Sequence, residues 1–238
     1  MIDHEIQSGR LVLGKVPQVV GTVSSAEFLR NFSPKSAQAS CDVLEVRLDH
    51  IAGVPWPCIC DSIEKSGLPT VLTVRLQNEG GNWKAADADR IPIYEEALDH
   101  VSMIDVELRS QIARKMTRLA KEKNKIALIS YHDFVKTPSL PDLKSIVREA
   151  EEFAQVFKIS TMVQSESDIE ALRLLLDEHW SIPICVIGMG PLGTRTRVEF
   201  PKLGSCLTYG YLDKPSAPGQ LSAAELSVQL KSFAPAQL

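Results

Sequence analysis

No apolar run of the ~18 residues needed to cross a membrane occurs in this chain, and no basic-then-apolar leader opens it. Neither a membrane partner nor a secretory route is expected. Excess positive charge is missing too. The 26 Lys and Arg stand against 30 Asp and Glu, for a formal net charge of −4. A general nucleic-acid surface is thereby excluded, and any anion site must be local. Cysteine is sparse: Cys41, Cys58, Cys60, Cys185 and Cys206, an odd number of which only Cys58 and Cys60 are close in sequence. That pattern suits reduced thiols in a cytoplasmic protein. It offers no paired Cys or His spacing for zinc, so no metal and no cofactor are expected. What remains is ordinary globular composition, 44% hydrophobic and 24% charged over 238 residues, which is enough for one large α/β domain or two small ones.

The chain reads as built around Phe157-Lys158-Ile159-Ser160, a short apolar stretch holding one lysine between helix-like runs. Such a strand is normally buried, and an isolated buried ammonium gives up its proton easily, as a Schiff-base nucleophile must. The plain alternative is a lysine whose stem is buried and whose head reaches water. Further strands are predicted over residues 17–22, 42–48, 70–75, 101–107, 126–132, 184–188 and 205–209. Helices are predicted over 92–100, 110–123, 141–155, 165–177 and 222–233, where apolar residues recur on one face or helix-start signals stand. Ser24 to Glu27 resembles a capping box opening a helix that Pro34 interrupts. Residues 55–65 read as a loop with a short helix, and 77–90 as a loop. Glu5 to Leu13, with Ser8-Gly9 between short runs, predicts a hairpin. Eight strands end about 21–32 residues apart, mostly with a helix between, which predicts a (β/α)8 barrel over residues 1–238 as a single catalytic domain. A doubly wound sheet is the structural alternative.

Barrel enzymes carry their chemistry at the C-terminal ends of the strands. There the sequence sets Thr22, then Glu45 and Arg47 on one side of a strand, Arg75 with Glu79 beyond it, Asp105 and Glu107, His132, Lys158, Met189 with Arg197 in the following loop, and finally Ser216 and Gln220. A purely structural barrel has no need of so many ionisable residues at one end. Lysine with histidine equips a site for imine formation and proton transfer, and arginines hold carboxylates or hydroxyls. The residues alone reach a Schiff-base lyase or aldolase acting on a small anionic carbonyl compound.

Several stretches go further. Glu45-Val46-Arg47-Leu48-Asp49, Thr73-Val74-Arg75 with Glu79-Gly80-Gly81, Ser130-Tyr131-His132-Asp133-Phe134, Lys158-Ile159-Ser160 and Ser216-Ala217-Pro218-Gly219-Gln220 follow one another in order. Together they resemble the type I 3-dehydroquinate dehydratase family, class I Schiff-base hydro-lyases of the shikimate pathway, and cover most of the chain. The resemblance implies conversion of 3-dehydroquinate to 3-dehydroshikimate and water in a metal-free, often dimeric barrel whose loop closes over the site. By the same resemblance Lys158 forms the imine, His132 moves the proton and helps expel the hydroxyl, and Glu79 orients His132. Arg197 clamps the substrate carboxylate beside Ser216 and Gln220. Glu45, Arg47 and Arg75 take hydroxyls, and Thr22, where the family often has a serine, and Met189 stand on the substrate side.

Gly188-Met189-Gly190-Pro191-Leu192-Gly193 matches a dinucleotide-binding pattern, but Pro191 and the short tail after Gly193 leave no Rossmann unit to complete. A metal-dependent lyase could use Asp105, Glu107 and His132, although Lys158 and three arginines in the same place argue against a cation. Another Schiff-base aldolase, or a carboxylate-binding module without catalysis, also stays open. For Asp105 or Glu107 alone, an ordinary ion pair is as good a reading as a functional one.

Overall fold

The computed structural model describes residues 5–14, 16–215 and 220–231. It begins with an antiparallel hairpin of β1 (Ile6–Ser8) and β2 (Leu11–Leu13). There follow β3 (Gln18–Val23), α1 (Ala26–Arg30), α2 (Pro34–Gln38), β4 (Val43–Arg47), α3 (Trp56–Lys65) and β5 (Thr70–Thr73). Next come α4 (Ile91–His100), β6 (Met103–Glu107), α5 (Ala113–Glu122), β7 (Ile126–Asp133), α6 (Leu140–Glu151) and β8 (Val156–Met162). The chain continues through α7 (Glu166–Leu176), β9 (Ile184–Met189), α8 (Gly190–Gly193), α9 (Thr196–Lys202), β10 (Leu207–Tyr211) and α10 (Ala223–Lys231).

Strands β3 to β10 form one parallel sheet in the order β10-β3-β4-β5-β6-β7-β8-β9. The last seam is bridged where the Cys206 amide donates to the Ile184 carbonyl at 2.9 Å and the Cys185 thiol donates to the Leu207 carbonyl at 3.2 Å. The sheet therefore all but closes, and the expected eight-stranded barrel stands in place of a doubly wound sheet.

Side-chain alternation explains where the polar groups collect. Inward positions low in the barrel are apolar: Val43, Val71, Met103, Leu128, Val156 and Cys185 form an interior cluster with Leu11 and Leu13 of the hairpin. Two residues further along the same strands the chain turns polar, to Glu45, Thr73, Asp105, Ser130 and Lys158. The hairpin thus seals the N-terminal end of the barrel, and the charged layer sits at the other. Outside, helices cover the sheet. In α6 the Ser139 hydroxyl caps the Asp142 amide, and Leu143, Ile146, Val147 and Ala150 bury one face. In α7, Ser165 and Asp168 make a reciprocal capping box.

Three local expectations are corrected. Residues 56–65 are a full helix, because Pro57 sits in its first turn, where no amide is needed, and Cys60 and Ile63 are buried. Pro34 interrupts nothing: α1 has already ended at Asn31, and Pro34 opens α2. The last strand runs from Leu207, two residues late, because the Ser205 hydroxyl and the Cys206 amide are used in the seam with β9. Residues 232 and 233 of the predicted last helix lie outside the described residues.

Candidate active site

A cavity of about 410 Å³ opens at the C-terminal ends of the strands. Thr22, Glu45, Arg47, Arg75, Glu79, His132, Lys158, Met189, Arg197 and Gln220 all line it. Ser216 lies outside the described residues. Ten of the eleven expected site residues therefore meet in one place.

Lys158 is 5% exposed, but it is not an isolated cation. Its Nζ donates to Asp105 Oδ2 at 2.8 Å and sits 4.5 Å from the ring centroid of Tyr209. The expectation of a lone buried ammonium is corrected: burial is compensated by a carboxylate and a ring face. Asp105 continues the line, because its Oδ1 accepts from Arg75 at 2.7 Å and from the Ser130 hydroxyl at 2.6 Å. Burial opposes ionisation of Asp105, yet Arg75 and Lys158 hold its carboxyl well below the usual carboxylate range. Arg75 also meets Glu107 at 3.2 Å, and Glu107 meets the fully buried Arg90 at 2.6 Å. Lys158, Asp105, Arg75, Glu107 and Arg90 thus alternate in sign beneath the cavity.

His132 lies next to the end of β7, beside β8, where it is paired with Ser160, and Lys158 pairs with Ser130 one inward step below. Glu79 reaches it from the turn Gln77–Glu79, which ends in a left-handed Gly80 at φ 78°. A Cβ there would stand 2.3 Å from Phe134, whose ring stacks on His132 at 6.1 Å. Glu79 Oε2 accepts from the His132 amide at 3.2 Å and faces Nδ1 at 3.0 Å. Burial, with Arg75 and Lys158 nearby, holds the imidazole well below its ordinary value, so it is neutral near pH 7. Burial also pushes the Glu79 carboxyl up to about 7.

The remaining groups divide by what already holds them. Glu45 accepts from Thr22 and from Thr73, each at 2.8 Å. Arg47 forks onto Asp49 with two contacts of 2.9 Å and meets His50 at 3.1 Å. Arg75 lines the cavity, but its guanidinium is engaged by Asp105, Glu107 and Ser130. Arg197 differs. It donates to the Tyr209 carbonyl at 2.8 Å and has no carboxylate partner among the described residues. Burial brings its guanidinium down to about 10, which still leaves it cationic at neutral pH.

The decoys resolve in the same geometry. Asp105 and Glu107 are taken up by guanidinium and ammonium groups, and among the described residues no group of three His, Cys, Asp or Glu could hold a metal ion. The glycine motif makes only the four-residue α8. There a Cβ on Gly193 would stand 2.4 Å from the Gly188 carbonyl carbon, so that glycine serves close packing after β9.

The family model for type I 3-dehydroquinase matches residues 21–235. The chain belongs to this family. It is 36% identical over 220 residues to the 3-dehydroquinate dehydratase of Methanothrix thermoacetophila, covering 91% of this chain and 92% of that protein. It is 32% identical over 212 residues to the enzyme of Methanocella arvoryzae, covering 88% and 94%. Among solved structures, the type I 3-dehydroquinate dehydratase from Clostridium difficile with covalent modified comenic acid matches with a TM-score of 0.88 at 25% identity, over 97% of this chain and 98% of that one. The Geobacillus kaustophilus 3-dehydroquinate dehydratase matches with a TM-score of 0.87 at 22% identity, over 98% and 99%, and shares the fold.

Sequence reasoning gave no role to Tyr209, His50 or Arg90, although all three belong to this dehydroquinase site or its support. In the sequence Tyr209 stands only as the end of an expected strand. Arg90 fell in a stretch read as loop, with nothing to announce a fully buried guanidinium.

Proposed function

We propose that Lys158, His132 and Glu79 carry out the hydro-lyase reaction of this type I dehydroquinase, the conversion of 3-dehydroquinate to 3-dehydroshikimate and water in the shikimate pathway. The observation that carries the assignment is the buried Lys158 amine in the same cavity as the neutral His132. Starting from the ammonium, the chemistry balances. Nζ bonds the ketone carbon, two ammonium protons leave with the ketone oxygen as water, and the positive charge stays on nitrogen as the iminium. Asp105 thus keeps its cationic partner throughout. The iminium then acidifies the neighbouring carbon, and His132 takes its proton and returns it to the departing hydroxyl, which leaves as water; a water then hydrolyses the product iminium, releasing 3-dehydroshikimate and restoring the Lys158 ammonium.

The tautomer of His132 follows from Glu79. A carboxylate oxygen that already accepts the His132 amide also accepts Nδ1–H, which leaves the Nε2 lone pair free as base. A protonated Glu79 would donate to Nδ1 and place the ring proton on Nε2 instead. Turnover is therefore expected to rise with pH through about 7. Glu79→Gln, an acceptor that does not titrate, should flatten that limb; a limb unchanged in this variant would separate Glu79 from it. His132→Ala should stall after imine formation and accumulate a bound adduct visible by mass, and Glu79→Ala should be milder. Equal damage from both would overturn this division of roles.

Arg197 has no carboxylate partner among the described residues and suits the substrate carboxylate; Gln220, which lines the same cavity, and Ser216 are assigned to that end by resemblance to the family. Thr22, Glu45, Arg47, Arg75 and Met189 complete the substrate side. Removing one partner of such a contact costs about 2–5 kcal/mol. Arg197→Ala is expected to raise KM more than tenfold, and Arg197→Lys to recover part of it, since an ammonium makes no paired contact. Full recovery by lysine would mean that only charge matters there.

The primary test of the assignment is borohydride reduction in the presence of 3-dehydroquinate, followed by mapping of the adduct. Labelling of any lysine other than Lys158 would overturn it. We read the chain as one catalytic domain that works as a homodimer in the cytoplasm; kinship with the family supports this, and no helix among the described residues is long and apolar enough to cross a membrane. Light scattering on the purified protein checks the dimer.

A further inference from the structure

Ser160 stands two residues beyond Lys158 on β8, on the same inward side, and lines the cavity one step above the amine. Across the ladder it pairs with His132 on β7. Neighbouring strands run about 5 Å apart, and two residues of strand span about 7 Å, so Ser160 is the residue beside the base and above the nucleophile. On its other flank it pairs with Ile187, and Met162 follows it on β8; both are apolar and both line the cavity. Other hydroxyls of the barrel mouth are already taken. Thr22 and Thr73 bond to Glu45, and Ser130 bonds to Asp105. The Ser160 hydroxyl makes no hydrogen bond among the described residues, although the residue is only 3% exposed. It is not sealed off either. Among the described residues Tyr209 carries the one side-chain oxygen that is both unpartnered and shut away from all access. The Ser160 oxygen therefore keeps accessible surface, and in mid-strand, between two paired strands, that surface opens on the cavity. Before substrate enters, water can satisfy it. A substrate that expels this water must meet the hydroxyl itself or leave it stranded.

We propose that the Ser160 hydroxyl is a catalytic hydrogen-bond donor to the departing hydroxyl of the substrate, the oxygen that His132 protonates. The inference rests on the reading of Lys158 as the imine-forming residue and His132 as the base. His132 must reach that oxygen to deliver its proton, and Ser160 is its neighbour on the next strand, facing the same cavity. The step balances. The proton taken by His132 leaves an enamine on Nζ. Its electrons form the new carbon–carbon double bond and restore the iminium, while the C–O bond breaks and its electron pair goes to oxygen. The proton on His132 joins that oxygen, which departs as water. Ser160 donates a hydrogen bond throughout and keeps its own proton. A donor aimed at an oxygen that gains charge is worth more in the transition state than in the ground state.

Ser160→Ala removes one oxygen that bonds nothing else in the described protein, so the melting temperature should hold. Formation of 3-dehydroshikimate in a single turnover should slow about tenfold, the worth of one hydrogen bond to an oxygen gaining charge. Imine formation precedes this step, so the borohydride-trappable adduct on Lys158 should appear at the wild-type rate. Its mass during turnover should shift toward the undehydrated substrate, heavier by one water than the product adduct. Ser160→Cys, of similar size but a weak donor, should behave like Ser160→Ala. Wild-type turnover in Ser160→Ala would overturn the proposal. So would a build-up of product adduct, which would set the hydroxyl on iminium hydrolysis instead, or a slow variant whose melting temperature falls by several degrees. If the wild-type protein gave no adduct on Lys158, the imine reading would fall and this inference with it. If Lys158 is labelled and Ser160→Ala still turns over normally, this inference alone falls.

Discussion

Lys158→Ala is expected to fold and to lose turnover by about a thousandfold or more, roughly 4 kcal/mol of barrier. The fold should survive because Asp105 is not abandoned. Its Oδ1 keeps Arg75 at 2.7 Å and the Ser130 hydroxyl at 2.6 Å when the ammonium is removed. Activity should not survive, because no other amine lines the cavity among the described residues. Lys158→Met, which keeps the apolar stem against Tyr209, separates packing from chemistry. Both variants should give no adduct with substrate and borohydride, and both should keep the wild-type circular dichroism. Residual turnover above about one per cent in Lys158→Met would show that the covalent route is not obligatory.

Why was this lysine legible in the sequence while its partner was not? Lys158 stands in a short strand between helical runs, and strand burial follows from local pattern alone. Asp105 is 53 residues away and meets Lys158 only because β7 lies between their strands and the barrel curves both inward. Its own strand, Met103–Glu107, gives no sign of which carboxylate will face which cation. Alternation does predict that Asp105 and Glu107 share a side with each other, and that Glu45 shares one with Arg47. It does not predict that Glu45 will be held by two threonines, or that Arg47 will fork onto Asp49 two residues on. The barrel itself was legible through spacing, since strand ends recur once per βα unit. What misled was local: a proline two residues into α3 read as loop, and the first residues of β10 were assigned to a strand when they belong to the seam.

The least legible feature is also a strong lever on stability. Arg90 is fully buried, with contacts to Glu107 at 2.6 Å, the Val74 carbonyl at 2.7 Å, the Ser110 hydroxyl at 3.0 Å, and Asp87. It ends the charge series that begins at Lys158. Removing it leaves Glu107, 1% exposed, with Arg75 at 3.2 Å and the Leu76 amide at 2.9 Å, and leaves the Val74 carbonyl with the longer contact from the Tyr94 hydroxyl at 3.3 Å. Breaking a buried pair in this way typically costs about 3–5 kcal/mol. Arg90→Leu is therefore expected to lower the unfolding free energy by about that much, and the melting temperature by about 10 °C. Arg90→Lys should recover only part, because one ammonium cannot reach four acceptors spread around a guanidinium. The contrast is Arg114→Ala, whose pair with Glu152 is more than half exposed on both sides and is worth under about 1 kcal/mol. Chemical denaturation of the three variants decides the matter. If Arg90→Leu lay within about 1 kcal/mol of wild type, the charge series would be a passive arrangement. If it is destabilised as expected, Arg75 is held from below by Glu107 and Arg90, which fixes Asp105 and through it the position of the Lys158 amine.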